Sequence, residues 1–168
     1  AFGGIVALNR ECTAEIAKEL SDFFIEIIVA PSFTKESLEI FSSKKNLRVI
    51  ELVSLDGFND KTSVRNINGG LLLQETDTFT VDAKSLKIVT DSKISPNTYG
   101  TIEFGWTVLK YIKSNGILIV KNNATLGVGA GQVSRVDSVD IAITKASGDI
   151  KDSILLSDAF FPFRDSID

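Results

Sequence analysis

The sequence predicts an α/β fold, and three observations carry that expectation. Short apolar strand-like runs alternate with amphipathic helical stretches from Phe2 to Leu52. A run of buried-strand type, Ile117–Val120, leads through a turn into a second short strand. A glycine-rich stretch then opens onto another amphipathic helix.

Taken in order, Phe2–Leu8 is a glycine-broken entry into a strand, and its Gly3-Gly4 pair suggests a close backbone approach. Thr13 is placed to cap a helix running to about Ser21, with Ile16, Ala17 and Leu20 on one face, and Asp22 closes it. Phe24–Val29 is the next strand, ended by Ala30-Pro31. Thr34 caps a second helix carrying Leu38, Ile40 and Phe41, and Leu47–Leu52 is a third strand. Strand, helix, strand, helix, strand at this spacing argues for a parallel α/β unit.

The rhythm breaks over Val53–Pro96, where polar turns at Asp56-Gly57, Asn59-Asp60 and Asn68-Gly69-Gly70 surround extended runs at Val64–Ile67, Leu71–Gln74 and Leu86–Val89. Arg65 and Gly69-Gly70 can be read as reaching a ligand, or as a solvated charge and a turn. Ser95-Pro96 opens a helix whose buried side is Ile102, Trp106, Leu109 and Tyr111-Ile112. The expected organisation is residues 1–55 as part of a first α/β lobe, 56–95 as a bridging segment and 96–168 as part of a second lobe.

The chemistry concentrates in Lys113–Asp137. After strand Ile117–Val120, Asn122-Asn123 makes a turn and Leu126–Val128 returns as a strand. Gly127, Gly129 and Gly131 alternate, and Gln132, Ser134 and Arg135 stand at the head of a helix bearing Val136, Val139, Ala142, Ile143 and Ala146. Alternating glycines let a backbone approach a ligand and aim N–H groups at it. A helix N-terminus favours anions, and an arginine there can grip one through two hydrogen bonds. The stretch is not a P-loop, because no Gly-Lys-Ser/Thr closes it, and Gln132 stands where a dinucleotide fingerprint needs its third glycine. A tight strand-to-helix turn with a surface arginine is the alternative.

Beyond a polar turn at Ser147–Asp152 and strand Ile154–Leu156, SDAFFPFRD (Ser157–Asp165) sets aromatics in a loop beside Asp158, Arg164 and Asp165. A loop after a parallel strand is where open α/β sheets bind ligands, so these phenylalanines are either ligand-facing or a plug over the sheet edge.

Composition excludes several classes of function. The 168 residues suffice for one domain or two small lobes, with 43% hydrophobic and 24% charged residues. A net charge of −4 leaves no basic footprint for nucleic acid and no polybasic membrane patch. No signal peptide or spanning segment is read, and Ile25–Ala30 is too short to span. The single Cys12 forbids an internal disulfide, suits a reducing cytoplasm and reads as a packing residue. The absence of histidine removes Ser-His and Cys-His systems and the usual zinc sites.

Five stretches in order, FGGIVALN at Phe2–Asn9, IVAPSF at Ile28–Phe33, KSN at Lys113–Asn115, GVGAGQVSRVDS at Gly127–Ser138 and SDAFFPFRD, resemble the transformylase half of the AICAR transformylase/IMP cyclohydrolase family. The resemblance covers essentially the whole chain. It implies formyl transfer from 10-formyltetrahydrofolate to the 5-amino group of the nucleotide AICAR, in purine (IMP) biosynthesis in the cytoplasm. It also implies three-layer α/β/α lobes of cytidine-deaminase type, a homodimer with active sites at its interface, and no metal requirement. By motif, Gly3 and Asp22 resemble nucleotide contacts, as do Asn115, Arg135 and Phe160, with Asn115 also supporting catalysis. Val136 and Asp165 match folate-facing positions.

The departures from the family pattern lie at the ends. The family's catalytic Lys-His pair and its cyclohydrolase domain lie upstream of the FGGIVALN motif, and a closing segment of the second lobe is expected after Asp168. The expectation is therefore an internal piece of a longer enzyme. The alternative is a non-catalytic nucleotide- or folate-binding or dimerisation fragment.

Overall fold

The computed structural model describes residues 3–53, 61–146, 148 and 150–168. The expected turns at Asp56-Gly57 and Asn59-Asp60 lie outside the described residues, as do Phe2, Ser147 and Asp149. The chain is mixed α/β and divides into two compact units, residues 1–76 and 77–168.

In the first unit, strands β1 (Ile5–Ala7), β2 (Ile27–Ala30) and β3 (Arg48–Glu51) alternate with helices α1 (Ala14–Ser21) and α2 (Lys35–Ser42). The strands pair in parallel in the order β1-β2-β3, as the alternating pattern requires. Thr34 caps α2: its hydroxyl oxygen accepts from the Ser37 N–H at 3.2 Å. Thr13 precedes α1 but makes no such cap bond. Strand β2 begins at Ile27 rather than Phe24 because its ladder opens where Ile27 meets Ile5. Val6, Ile28, Ala30 and Val49 pack with Ile16, Ala17, Leu20 and Phe41 of the helices. Cys12 is fully buried in this core, and burial raises its thiol pKa, consistent with a packing role. Residues of the other parity, Ile5 and Ile50, are exposed. Strands β4 (Thr62–Ile67) and β5 (Gly70–Glu75) form an antiparallel hairpin, closed by Asn68-Gly69 and exposed along its whole length.

In the second unit, a 3-10 turn at Pro96–Thr98 feeds α3 (Tyr99–Leu109). Strands β6 (Ile117–Lys121) and β7 (Ala124–Gly129) form a hairpin, α4 (Arg135–Lys145) follows, and β8 (Ile154–Ser157) returns to the other side of β6. The two-residue connection works because Asn122 and Asn123 both adopt left-handed backbone angles, φ 51° and 58°, as a tight hairpin turn demands.

Both neighbours of β6 run antiparallel to it. The expectation that SDAFFPFRD follows a strand of a parallel sheet is therefore corrected. The β7–α4–β8 crossover steps over β6, so β7 and β8 point the same way while neither is hydrogen-bonded to the other. Alternation along β6 divides its buried residues. Leu118 and Val120 pack with Leu109 and Leu156 on the α3 side, while Ile117 and Ile119 pack with Val139 and Ala142 of α4. This unit is three-layered, helix over sheet over helix.

Three local expectations fail. Leu86–Val89 forms no strand; a 3-10 turn at Ala83–Ser85 precedes it, and Val89 is exposed. Tyr111 is exposed because α3 stops at Leu109, before the helical periodicity reaches it. Ile143 is likewise exposed, although it stands one turn beyond the buried Val139 in α4.

Candidate functional site

Beyond the carboxyl ends of β7 and β8, and the amino end of β6, lies a cleft of about 320 Å³. Asn115 lines it from the segment entering β6, Arg135 and Val136 from the first turn of α4, and Phe160 and Asp165 from the loop after β8. Five of the seven residues singled out in the sequence thus share one cavity, although up to 50 positions separate them.

Gly3 and Asp22 belong to the first unit. Gly3 has φ +84°, and an added Cβ would lie 2.8 Å from the Glu26 carboxylate. Asp22 is the exposed C-cap of α1.

Arg135 does not stand free at its helix terminus. Its Nη1 donates to the Asp158 carboxylate and to the Ser157 hydroxyl, the latter at 2.9 Å. Its Nη2 donates to Asn115 Oδ1 at 2.8 Å, and the side chain is only 10% exposed. Asn115 is equally tied. Its Nδ2 donates to the carbonyls of Gln132 and Val133, each at 3.0 Å, and its own carbonyl accepts from the Ser138 hydroxyl at 2.8 Å. With both amide hydrogens used and Oδ1 already holding Arg135, Asn115 offers a ligand one remaining acceptor position.

Asp158 was not singled out for a role by sequence, and it organises this network. Burial acts to raise its pKa, but hydrogen bonds from Ser114, Arg135 and the Gly116 N–H, with the guanidinium charge, outweigh it and leave the carboxyl below its usual value. Its position one residue past β8, on the loop carrying the phenylalanines, was the available signal. Ser138, fully buried in α4, was also missed; a serine at helical spacing among apolar residues looks like surface.

The glycines have a different task from the one expected. Gly127 and Gly129 lie within β7, where an added Cβ would run into the backbone carbonyls of Ala142 and Ser138. They allow α4 to press onto the strand, and the expectation that their backbone faces a ligand is corrected. Gly131 has φ +70° and its N–H donates to the Lys113 carbonyl at 3.0 Å, which joins the loop to the KSN segment.

The phenylalanines divide between the two readings of their loop. Phe161 packs on the Ile117–Val139 cluster as a plug, whereas Phe160 and Phe163 line the cleft and are 80% and 72% exposed. Asp165 is exposed at the cleft rim. Among the described residues, no three His, Cys, Asp or Glu side chains gather as a metal cage. No helix among them is long and apolar enough to cross a membrane.

The model of the AICARFT/IMPCHase bienzyme family matches residues 1–145. The bifunctional purine biosynthesis protein PurH of Anoxybacillus flavithermus is 44% identical over 167 residues, 99% of this chain and 33% of that protein. Its namesake from Caldicellulosiruptor bescii is 42% identical over 99% of this chain and 32% of its own length. That of Bacillus thuringiensis is 43% identical, with 99% and 33% covered. The chain spans about a third of the length of the curated relatives it matches. With 145 of its 168 residues matched, the chain belongs to the AICARFT/IMPCHase bienzyme family.

Proposed function

We propose that this chain supplies substrate-binding surface for formyl transfer from 10-formyltetrahydrofolate to the 5-amino group of AICAR, within a bifunctional purine-biosynthesis enzyme. The observation that carries this reading is the meeting of Asn115, Arg135, Val136, Phe160 and Asp165 in one cleft.

The chemistry of each group suits the reaction. The exposed ring of Phe160 offers a flat face for a heterocycle, and Asp165 can accept from a pterin's N–H groups. Asn115, left only an acceptor, takes an amine or carboxamide N–H and cannot donate to the formyl oxygen. The gain from such a site is alignment of a weak amine nucleophile with the formyl carbon. No histidine exists among the 168 residues, so acid–base work in the transfer falls to Asp, Glu, Lys or Tyr, or to a group from another chain. On the same reading the lobes are of cytidine-deaminase type, the enzyme is a cytoplasmic homodimer, and the transfer needs no metal.

The test uses a full-length bifunctional protein containing this sequence. Phe160→Ala and Asp165→Asn should each lower kcat/KM for formyl transfer by about tenfold or more, with cyclohydrolase turnover unchanged. Formyl transfer unaffected by both substitutions removes the cleft from the reaction.

A further inference from the structure

Arg135 and Asn115 line the cleft, yet Arg135 is anchored by Asp158 and Ser157, which do not. Asp158 and Ser157 take both hydrogens of Arg135 Nη1, which turns the guanidinium so that Nη2 meets Asn115 Oδ1. That contact fixes the orientation of the Asn115 amide, whose nitrogen is thereby directed at the Gln132 and Val133 carbonyls. Asp158 is set from behind by its own N–H, which donates to the Gly116 carbonyl at 3.2 Å, and by hydrogen bonds to its carboxylate from Ser114 and the Gly116 N–H. It borders a separate cavity of about 260 Å³, with Trp106 and Lys110.

We propose that Asp158 is a positioning residue: its carboxylate locks Arg135, and through Arg135 sets the single acceptor that Asn115 presents to the ligand. This rests on the formyl-transfer reading of the cleft. Asp158 also compensates the charge of Arg135, so the arginine orients more than it attracts. Among the described residues only its Nε–H and the second Nη2 hydrogen remain for a ligand.

The inference predicts dependence of one residue on another, which general destabilisation does not produce. In a full-length bifunctional protein containing this sequence, Asp158→Asn should lower kcat for formyl transfer by about tenfold to a hundredfold, with a smaller change in the KM for AICAR. Introduced beside Arg135→Ala, the same change should add less than about twofold, because its route to the ligand is already cut. Arg135→Lys keeps a charge beside Asp158 but lacks the planar fork that spans Asp158 and Asn115, so it should lose nearly as much as Arg135→Ala. This variant decides the matter if Asp158→Asn does not fold. Independent, multiplicative losses from Asp158→Asn and Arg135→Ala overturn the proposal, as does near-normal kcat in Arg135→Lys. If Phe160→Ala and Asp165→Asn also leave formyl transfer untouched, the reading of the cleft fails as well; if they impair it, only the positioning role of Asp158 is lost.

Discussion

Replacing Gly129 by alanine tests how closely α4 is seated on β7. A methyl group there would lie 2.7 Å from the carbonyl carbon of Ser138, with the carbonyl oxygen nearer still, whereas ordinary contact begins at 3.4 Å. Clearing the carbonyl carbon alone takes about 0.7 Å of withdrawal, clearing the nearer oxygen takes more, and no rotamer change relieves a clash with backbone. A radial gap of about 0.5–1 Å forfeits roughly a quarter to a half of the dispersion energy between facing atoms. The affected contacts are those of Val139 and Ala142 with Ile117 and Ile119, the buried centre of the α4 side of the core. Overpacking costs about 1–3 kcal/mol, and a clash with backbone belongs at the upper end, about 3 kcal/mol. Trp106, the only tryptophan, packs on the opposite side of the same sheet and reports the unit's unfolding by fluorescence. Urea titrations of wild type, Gly129→Ala and Gly131→Ala should give a large loss for the first. For Gly131→Ala the loss should be about 1 kcal/mol, since the strain there is in φ alone and a Cβ meets only the far end of Lys113. Equal midpoints for Gly129→Ala and wild type would refute the packing argument.

Four further outcomes follow from particular residues. Asn122→Val should destabilise the β6–β7 hairpin by about 1–2 kcal/mol in the same titration and Asn122→Gly should not, because φ 51° disfavours a branched side chain. The Asp158 pKa lies below its usual 3.8, so in that range the unfolded chain binds the proton first. The stability this group contributes is therefore full above the unfolded pKa and lost as pH falls through the folded one; unfolding midpoints at about pH 5 and about pH 3 should differ less in Asp158→Asn than in wild type. Phe160→Ala should change unfolding free energy by less than about 0.5 kcal/mol, whereas Phe161→Ala should cost about 2 kcal/mol; the reverse order would exchange the face and the plug. The 168-residue chain alone, lacking any histidine, should release no measurable tetrahydrofolate from AICAR and 10-formyltetrahydrofolate, and turnover within about tenfold of a full-length enzyme would require another base, with Lys113 and Asp165 the first to substitute.

What the sequence alone determined is mostly local. The Thr34 cap, the Asn122-Asn123 turn and the proline entry to α3 depend on backbone preferences of a few adjacent residues, and each forms where expected. The ordered motifs, from FGGIVALN to SDAFFPFRD, also sufficed to point to the family. Tertiary structure decided every question whose answer lies far along the chain. Alternating glycines look the same whether the surface against them is a ligand or a helix, and the backbone carbonyls of Ser138 and Ala142 settle it for Gly127 and Gly129. Arg135 reads as a free cation until Asp158, 23 residues away, is folded onto it. Leu86–Val89 has the composition of a strand, but a strand needs a partner to receive its hydrogen bonds, and none among the described residues is paired with it. Neighbouring phenylalanines take opposite roles, because Phe161 reaches the core while Phe160 and Phe163 remain at the cleft. Spacing carries information over one turn or one hairpin; burial and charge pairing depend on which surfaces the completed fold brings together.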